Sequence, residues 1–332
     1  MNGTEDTRSY SAEQLASQGK AFWTMGQAQL AFPNVFRAIT LDPGNYDFHF
    51  LVFCWIWQAP DSDVEQLANL WAESYLPGLG LEVCEESLIE AFGEHPDRYE
   101  LFLALSSLEF RRGRPDRAEE LFGFCLAPLD DQDQAPTVAD VLGKYHSNSG
   151  GYDDAEHHAD TIKRFLSFTE RHLSGRSGLT IIDAACGTGG LAFGLRPHAA
   201  RLIGVDLSPD MAERAKPHYD TMMVGDMSAA MSGLGHPADV ITCSGATYYL
   251  RDLAPFLHGA AAAIKPGGML LFSDFSAPAG SGTMITAGGT RRYCHSPDLV
   301  RDLARQAGWS EAGFDIGISY SLPCRFWCFT AP

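Results

Sequence analysis

Three acidic residues stand at near-regular intervals behind short apolar runs. Asp183 follows Leu179-Thr180-Ile181-Ile182, Asp206 follows Arg201-Leu202-Ile203-Gly204-Val205, and Asp226 follows Met223-Val224-Gly225. Asp206 lies 23 residues after Asp183, and Asp226 a further 20 on. Behind the first acid comes Ala184-Ala185-Cys186-Gly187-Thr188-Gly189-Gly190, then Leu191-Ala192-Phe193-Gly194-Leu195, which can open a helix. A strand, a glycine-rich turn and a helix form a corner that cradles a nucleotide. A carboxylate at that corner repels a pyrophosphate and suits a ligand that carries positive charge. An acid about 20 residues further on is spaced to accept from a ribose diol. At Asp226, an acid can accept from an adenine amino group while the next backbone N–H, at Met227, serves a ring nitrogen.

Such residues need a sheet to gather them. Asp239-Val240-Ile241-Thr242-Cys243-Ser244 reads as a fourth strand, and Met269-Leu270-Leu271-Phe272-Ser273-Asp274, after the Lys265-Pro266-Gly267-Gly268 turn, as a fifth. With these pieces the chain resembles the class I S-adenosylmethionine (SAM)-dependent methyltransferases. The matching segments are DAACGTGG (183–190), VDLS (205–208), GDM (225–227), ADVITCSGATYYL (238–250) and KPGGMLLFSDF (265–275), in order across about residues 150–332. The resemblance implies an α/β fold with a Rossmann-like doubly wound sheet. It implies SAM as cofactor, held by Asp183, Ala185, Cys186, Gly187, Gly189, Asp206, Leu207, Asp226, Met227 and Ser244. One departure stands in the turn, where the family usually has glycine at the position of Ala185; a side chain there holds the ligand further from the backbone.

A SAM enzyme must set a nucleophile about 3 Å from the methyl carbon, in line with the leaving sulfur, and keep water out. The resemblance puts the acceptor at the end of the fourth strand, in the later loops and under an amino-terminal cover. Candidate catalytic residues are Tyr248, by orientation or cation–π attraction, and His295 or His146 as a base. Candidate substrate residues are Tyr145, Asn148 and Tyr152 in the polar segment 144–153, then Tyr249, Arg291, Arg292 and Tyr293, with an arginine suited to a substrate carboxylate. The loop Ser276–Gly282 is expected to be flexible and to act as a lid. Ser296 is expected to cap the helix that follows. His157 and His158 are neighbours on a helix and share no face, so no metal site is expected.

The remaining sequence bounds the class. A chain of 332 residues with 45% hydrophobic content fits two domains. We expect residues 1–140 to be an all-α domain of helical hairpins and residues 141–332 to be the SAM-binding domain. The stretch 103–126 and the segment 36–45 resemble tetratricopeptide-type hairpins, and Pro43 and Pro77 lie one such period apart. Trp23, Trp55, Trp57 and Trp71 are expected to fill that core. Residues 1–140 hold 8 Lys and Arg against 24 Asp and Glu, a net −16 of the whole chain's −18. That acidity argues against a nucleic-acid partner. The longest apolar run, Phe48 to Trp57, is too short to span a bilayer. Eight scattered cysteines and a start without signal-peptide character fit the cytoplasm. The expected partner is a small-molecule substrate, with a homodimer or a protein partner engaged through the helical half. The expected reaction is methyl transfer to an O, N or C atom. Two alternatives are intramolecular cyclisation of SAM with release of methylthioadenosine, and an interaction protein whose methyltransferase-like half is regulatory.

Overall fold

The computed structural model describes residues 10–45, 47–49, 51, 52, 55, 70–75, 103, 106, 110, 113–130, 139–143, 156–234, 237–287, 291–319 and 322–332. The chain divides into two compact units, Met1–Ala104 and Leu105–Pro332. In the first, helices α1 (Ala12–Thr24) and α2 (Ala28–Leu41) pack together. A capping box starts α1: the Ser11 hydroxyl accepts from the Gln14 N–H, and the Gln14 side chain accepts from the Ser11 N–H. Gly19 lets the pair close, since a Cβ there would sit 2.7 Å from Val35 Cγ2. Trp55 and Trp71 are buried, and Trp23 stacks on Trp55 at 5.2 Å. Trp57 and Pro77 lie outside the described residues, as does most of 97–112.

In the second unit a seven-stranded sheet carries the chemistry. Its strands are β2 (Leu179–Ala184), β3 (Ala199–Asp206), β4 (Thr221–Val224), β5 (Ala238–Cys243), β6 (Ile264–Phe275), β9 (Ser310–Ser319) and β10 (Leu322–Thr330). The order is β4-β3-β2-β5-β6-β10-β9. The first five run parallel, while β10 lies antiparallel to both β6 and β9. Near-continuous apolar runs suit strands covered on both faces, and Ile182, Ile203, Ile241, Leu270 and Trp327 sit in one buried core. Strand order reverses between β2 and β5, the switch point at whose carboxyl ends such sheets bind ligands. All five parallel strands were legible from their apolar runs.

Three further strands were not. The segments β1 (Leu126–Pro128), β7 (Thr283–Thr286) and β8 (Tyr293–His295) form a small antiparallel sheet in the order β1-β7-β8. The loop 276–282, expected to be a free lid, is tied down. The Gly280 N–H donates to Asp298 Oδ1 at 2.8 Å, and the Ser296 N–H to the Gly282 carbonyl at 2.8 Å. Asp298 belongs to helix α9 (Pro297–Gln306), where Ser296 holds the cap position but its hydroxyl makes no capping bond. Helix α3 (Pro115–Gly123), with Pro115 in its first turn as expected, docks on the sheet through Glu119. That carboxylate takes 2.8 and 2.6 Å bonds from Arg325 of β10 and a 2.5 Å bond from the Ser276 hydroxyl.

Candidate active site

The turn after β2 carries its conformation in three residues. Gly187 and Gly189 have φ of +57° and +94°, and Ala185 has +56°, the one described non-glycine residue in the left-handed region. Alanine there costs about 1–2 kcal/mol against a right-handed conformation. Asp206, at the end of β3, locks this turn. Its Oδ2 accepts from the Gly187 N–H at 2.7 Å and its Oδ1 from the Ser208 N–H at 2.8 Å. Burial raises the Asp206 pKa, and these two N–H groups oppose the rise. Asp226 follows β4 and caps helix α7 (Met227–Ser232), accepting from the Ala229 N–H at 3.0 Å.

Asp183 differs from its two companions. It is wholly buried, with Oδ2 accepting from the Tyr219 hydroxyl at 2.6 Å and Oδ1 from the Thr242 hydroxyl at 2.9 Å. Burial pushes its carboxyl up to about 6, the two hydroxyls pull it down, and the Asp206 charge adds to the rise. Asp183 thus lies beneath the turn and outside the cleft lining, each of its oxygens accepting one hydroxyl bond. Gly189 likewise stands behind the cleft wall, against Tyr219 and His218. Tyr219 and Thr242 were missed in the sequence. Thr242 had a signal, since the parallel register pairs it directly with Asp183.

Above that floor opens a cleft of about 210 Å³. Its wall holds the other eight expected cofactor residues: Ala185, Cys186, Gly187, Asp206, Leu207, Asp226, Met227 and Ser244. Thr161 and Ile162 of helix α4 (Glu156–Leu173) and Val141 complete it from the amino-terminal side. Cys186 gives the wall its backbone, while its sulfur sits 3.9 Å from Met222 Sδ. Burial drives that thiol far above its usual range, so it is no nucleophile. Two carboxylates at strand ends and the apolar Leu207 and Met227 fit an adenosyl group: acceptors for a diol and an amine, and apolar cover for a ring.

On the acceptor side the expected residues separate. Tyr249 lines the cleft; Tyr248 does not. Tyr248 is 3% exposed, stacked on Phe275 at 4.9 Å, with the Arg292 guanidinium 4.6 Å from its ring centre. The same guanidinium lies 5.2 Å from the Tyr249 ring. His295 stands outside the cleft lining. It is buried in β8 with Nδ1 3.0 Å from Asp274 Oδ1, and the Thr247 hydroxyl donates to the same oxygen at 2.8 Å. Burial lowers the His295 pKa, but the Asp274 charge, its hydrogen bond and the Leu250 and Arg251 carbonyls outweigh that and raise it. Tyr293 is buried beside it, and Arg291 is exposed. Tyr145, His146, Asn148 and Tyr152 lie outside the described residues. Among the described residues no cluster of His, Cys, Asp or Glu could hold a metal ion, and no helix is long and apolar enough to cross a membrane.

With this geometry in hand, residues 155–316 match a family model described as a methyltransferase domain. The match covers just under half of the chain. The chain is similar to a ubiquinone biosynthesis O-methyltransferase of Nitrosomonas europaea, 26% identical over 47% of this chain and 74% of that protein. It is also similar to the Hydrogenovibrio crunogenus protein of the same name, 34% identical over 35% of this chain and 47% of that protein. Against the other curated relatives the chain spans about half of their length, from 39% to 65%. Among solved structures, a 1,6-didemethyltoxoflavin-N1-methyltransferase of Burkholderia thailandensis aligns with 62% of this chain and 94% of its own, at 19% identity and a TM-score of 0.48.

Proposed function

We propose that the protein is a SAM-dependent methyltransferase acting on an O, N or C atom of a small molecule. The observation that carries this reading is the convergence of Asp206 and Asp226 on one cleft, over a turn that Asp206 itself fastens. Asp206 would hold the ribose hydroxyls, and Asp226 with the Met227 N–H the adenine edge. Ser244 and the 185–187 turn would border the amino-acid end. When bound, SAM supplies a methyl group already activated by its sulfonium, so the protein's part is to orient the acceptor and exclude water. Tyr249 and the residues after β5 would form the acceptor wall. His295 and His146 stay the candidate bases, and Tyr145, Asn148 and Tyr152 candidate acceptor residues. Asp183 would act from below, keeping the turn in register through Tyr219 and Thr242.

We propose the same division of labour as the sequence suggests: a helical, tetratricopeptide-like part over residues 1–140 that meets a second copy or a partner, and a SAM-binding part over 141–332. Residues 113–130 bridge that division, since α3 and β1 pack within the second unit. Six described cysteines form no disulfide, which supports a reducing, cytoplasmic setting.

Isothermal titration tests the reading. SAM should bind in the micromolar range, and Asp206→Ala should weaken it by about 1–3 kcal/mol through lost bonds to a charged acceptor. Unchanged affinity in that variant would overturn the ribose assignment. Protein incubated with SAM alone should accumulate no methylthioadenosine; its appearance would favour the cyclisation reading instead.

A further inference from the structure

Arg292 stands behind the cleft wall, against Tyr249, and its own partners leave part of it uncommitted. The guanidinium spans both tyrosines of the 247–249 turn, 4.6 Å from one ring centre and 5.2 Å from the other. Only Tyr249 of that pair reaches the cleft. Nη1 donates to the Arg291 carbonyl at 3.2 Å, and the Arg292 backbone N–H to the Thr286 hydroxyl at 3.0 Å. Among the described residues no carboxylate pairs with Arg292 and no other hydrogen bond engages its guanidinium. The edge formed by Nε and Nη2 is the one that meets a carboxylate with two parallel bonds.

The sheet gives this cation a definite place. Asp206 and Asp226 follow β3 and β4, on one side of β2, while Ser244 and Tyr249 follow β5, on the other. The cleft is therefore acidic towards one end and bordered by an arginine-bearing aromatic wall towards the other. A cationic adenosyl ligand and an anionic acceptor would each be drawn to its own end. Phe275, stacked on Tyr248, and the β7–β8 pairing fix the platform on which the guanidinium rests. An arginine held flat on aromatic rings has less side-chain freedom to lose when it takes up a ligand.

We propose that Arg292 recognises a carboxylate on the acceptor, so that the methyl acceptor is a small organic acid. This deepens the methyltransferase reading and rests on it. Benzoate and its neutral counterpart benzamide can serve as probes, titrated into full-length protein saturated with S-adenosylhomocysteine and followed by ligand-detected NMR. Benzoate should bind at least tenfold more tightly than benzamide. Arg292→Gln should abolish that preference and leave S-adenosylhomocysteine affinity unchanged. Arg291→Gln should keep the preference. Arg292→Lys, which retains charge over the tyrosines but not the fork, should weaken benzoate several-fold while still favouring it. Equal binding of benzoate and benzamide to the unmodified protein would overturn the proposal, as would a preference that survives Arg292→Gln or disappears in Arg291→Gln. If S-adenosylhomocysteine fails to bind the unmodified protein, it is the methyltransferase reading that falls, and the acceptor proposal with it.

Discussion

At the scale of single residues, the turn after β2 sets two opposed terms against each other. Ala185 pays about 1–2 kcal/mol for its left-handed backbone. Replacing it by glycine removes that strain but loosens the unfolded chain by about 0.4–1 kcal/mol. Ala185→Gly should therefore be neutral to mildly stabilising, by up to about 1 kcal/mol in urea unfolding. A clear loss of stability would mean that the alanine methyl packs in a way its conformation does not reveal. Asp183 makes a sharper case. Its folded pKa of about 6 stands above the 3.8 of a free carboxyl. Between those values the folded state holds the extra proton, so stability falls as pH rises through that window and the penalty is complete above it. Asp183→Asn should flatten this part of the pH–stability curve, by an amount on the order of 2–3 kcal/mol between pH 4 and 7. A variant curve parallel to that of the parent would remove Asp183 as its source.

The same residues mark what a sequence can carry. The places of Asp206 and Asp226 in the cleft wall are legible because they follow strand ends, and strand ends are written in apolar runs. The burial of Asp183 was not, because it depends on Tyr219, whose hydroxyl arrives from a turn 36 residues later. His295 had the composition of a base, in a polar stretch beside two arginines. What the sequence does not reveal is its pairing with Asp274, 21 residues away on another strand. Charge and type are local properties; company is not.

Among elements, close approaches join stability to the site. Gly259 of helix α8 (Ala254–Ala263) faces the backbone of α7, where a Cβ would lie 2.7 Å from the Ser228 carbonyl oxygen. Backbone cannot swing aside like the end of a side chain, so Gly259→Ala should cost about 1–3 kcal/mol. Asp226 caps α7 and Met227 begins it, so SAM affinity should fall in the same variant even though residue 259 touches no ligand. A destabilised protein with unaltered SAM affinity would break that link. The Glu119–Arg325 pair is a second joint, between α3 and β10, with both side chains about 15% exposed. Removing one charge of such a pair strands the other, at about 3–5 kcal/mol when burial is complete and less here. Arg325→Met should destabilise by roughly 2–4 kcal/mol, and adding Glu119→Gln should restore part of the loss in a double-mutant cycle. The small β1-β7-β8 sheet escaped the sequence for the reason that this joint did. Its strands are three or four residues long, and Leu126 pairs with Thr286, so the pattern that defines it never appears within one window.

For the whole molecule, charge is the property that acts at a distance. A net of −18, nearly all of it in residues 1–140, repels polyanions. Duplex DNA or RNA should give no mobility shift at micromolar protein in about 50 mM salt, the condition that most favours electrostatic binding. A shift that weakens with added salt would show a basic surface that the sequence hides.

The strand order also sets a schedule. Residues 322–330 follow every other strand of the sheet in sequence, yet they do not flank it but are inserted between β6 and β9. Until they emerge, β6 keeps an open edge of unpaired amides and carbonyls, the kind of edge that recruits other chains. The strands that end in Asp183 and Asp206 can pair early, yet their sheet is sealed only when β10 has emerged. A ribosome stalled before Leu322 would thus hold a chain with most of its site encoded and its sheet still sticky. Such arrested chains should be held by chaperones or cleared by proteases, while release of the final strand should mark the onset of solubility.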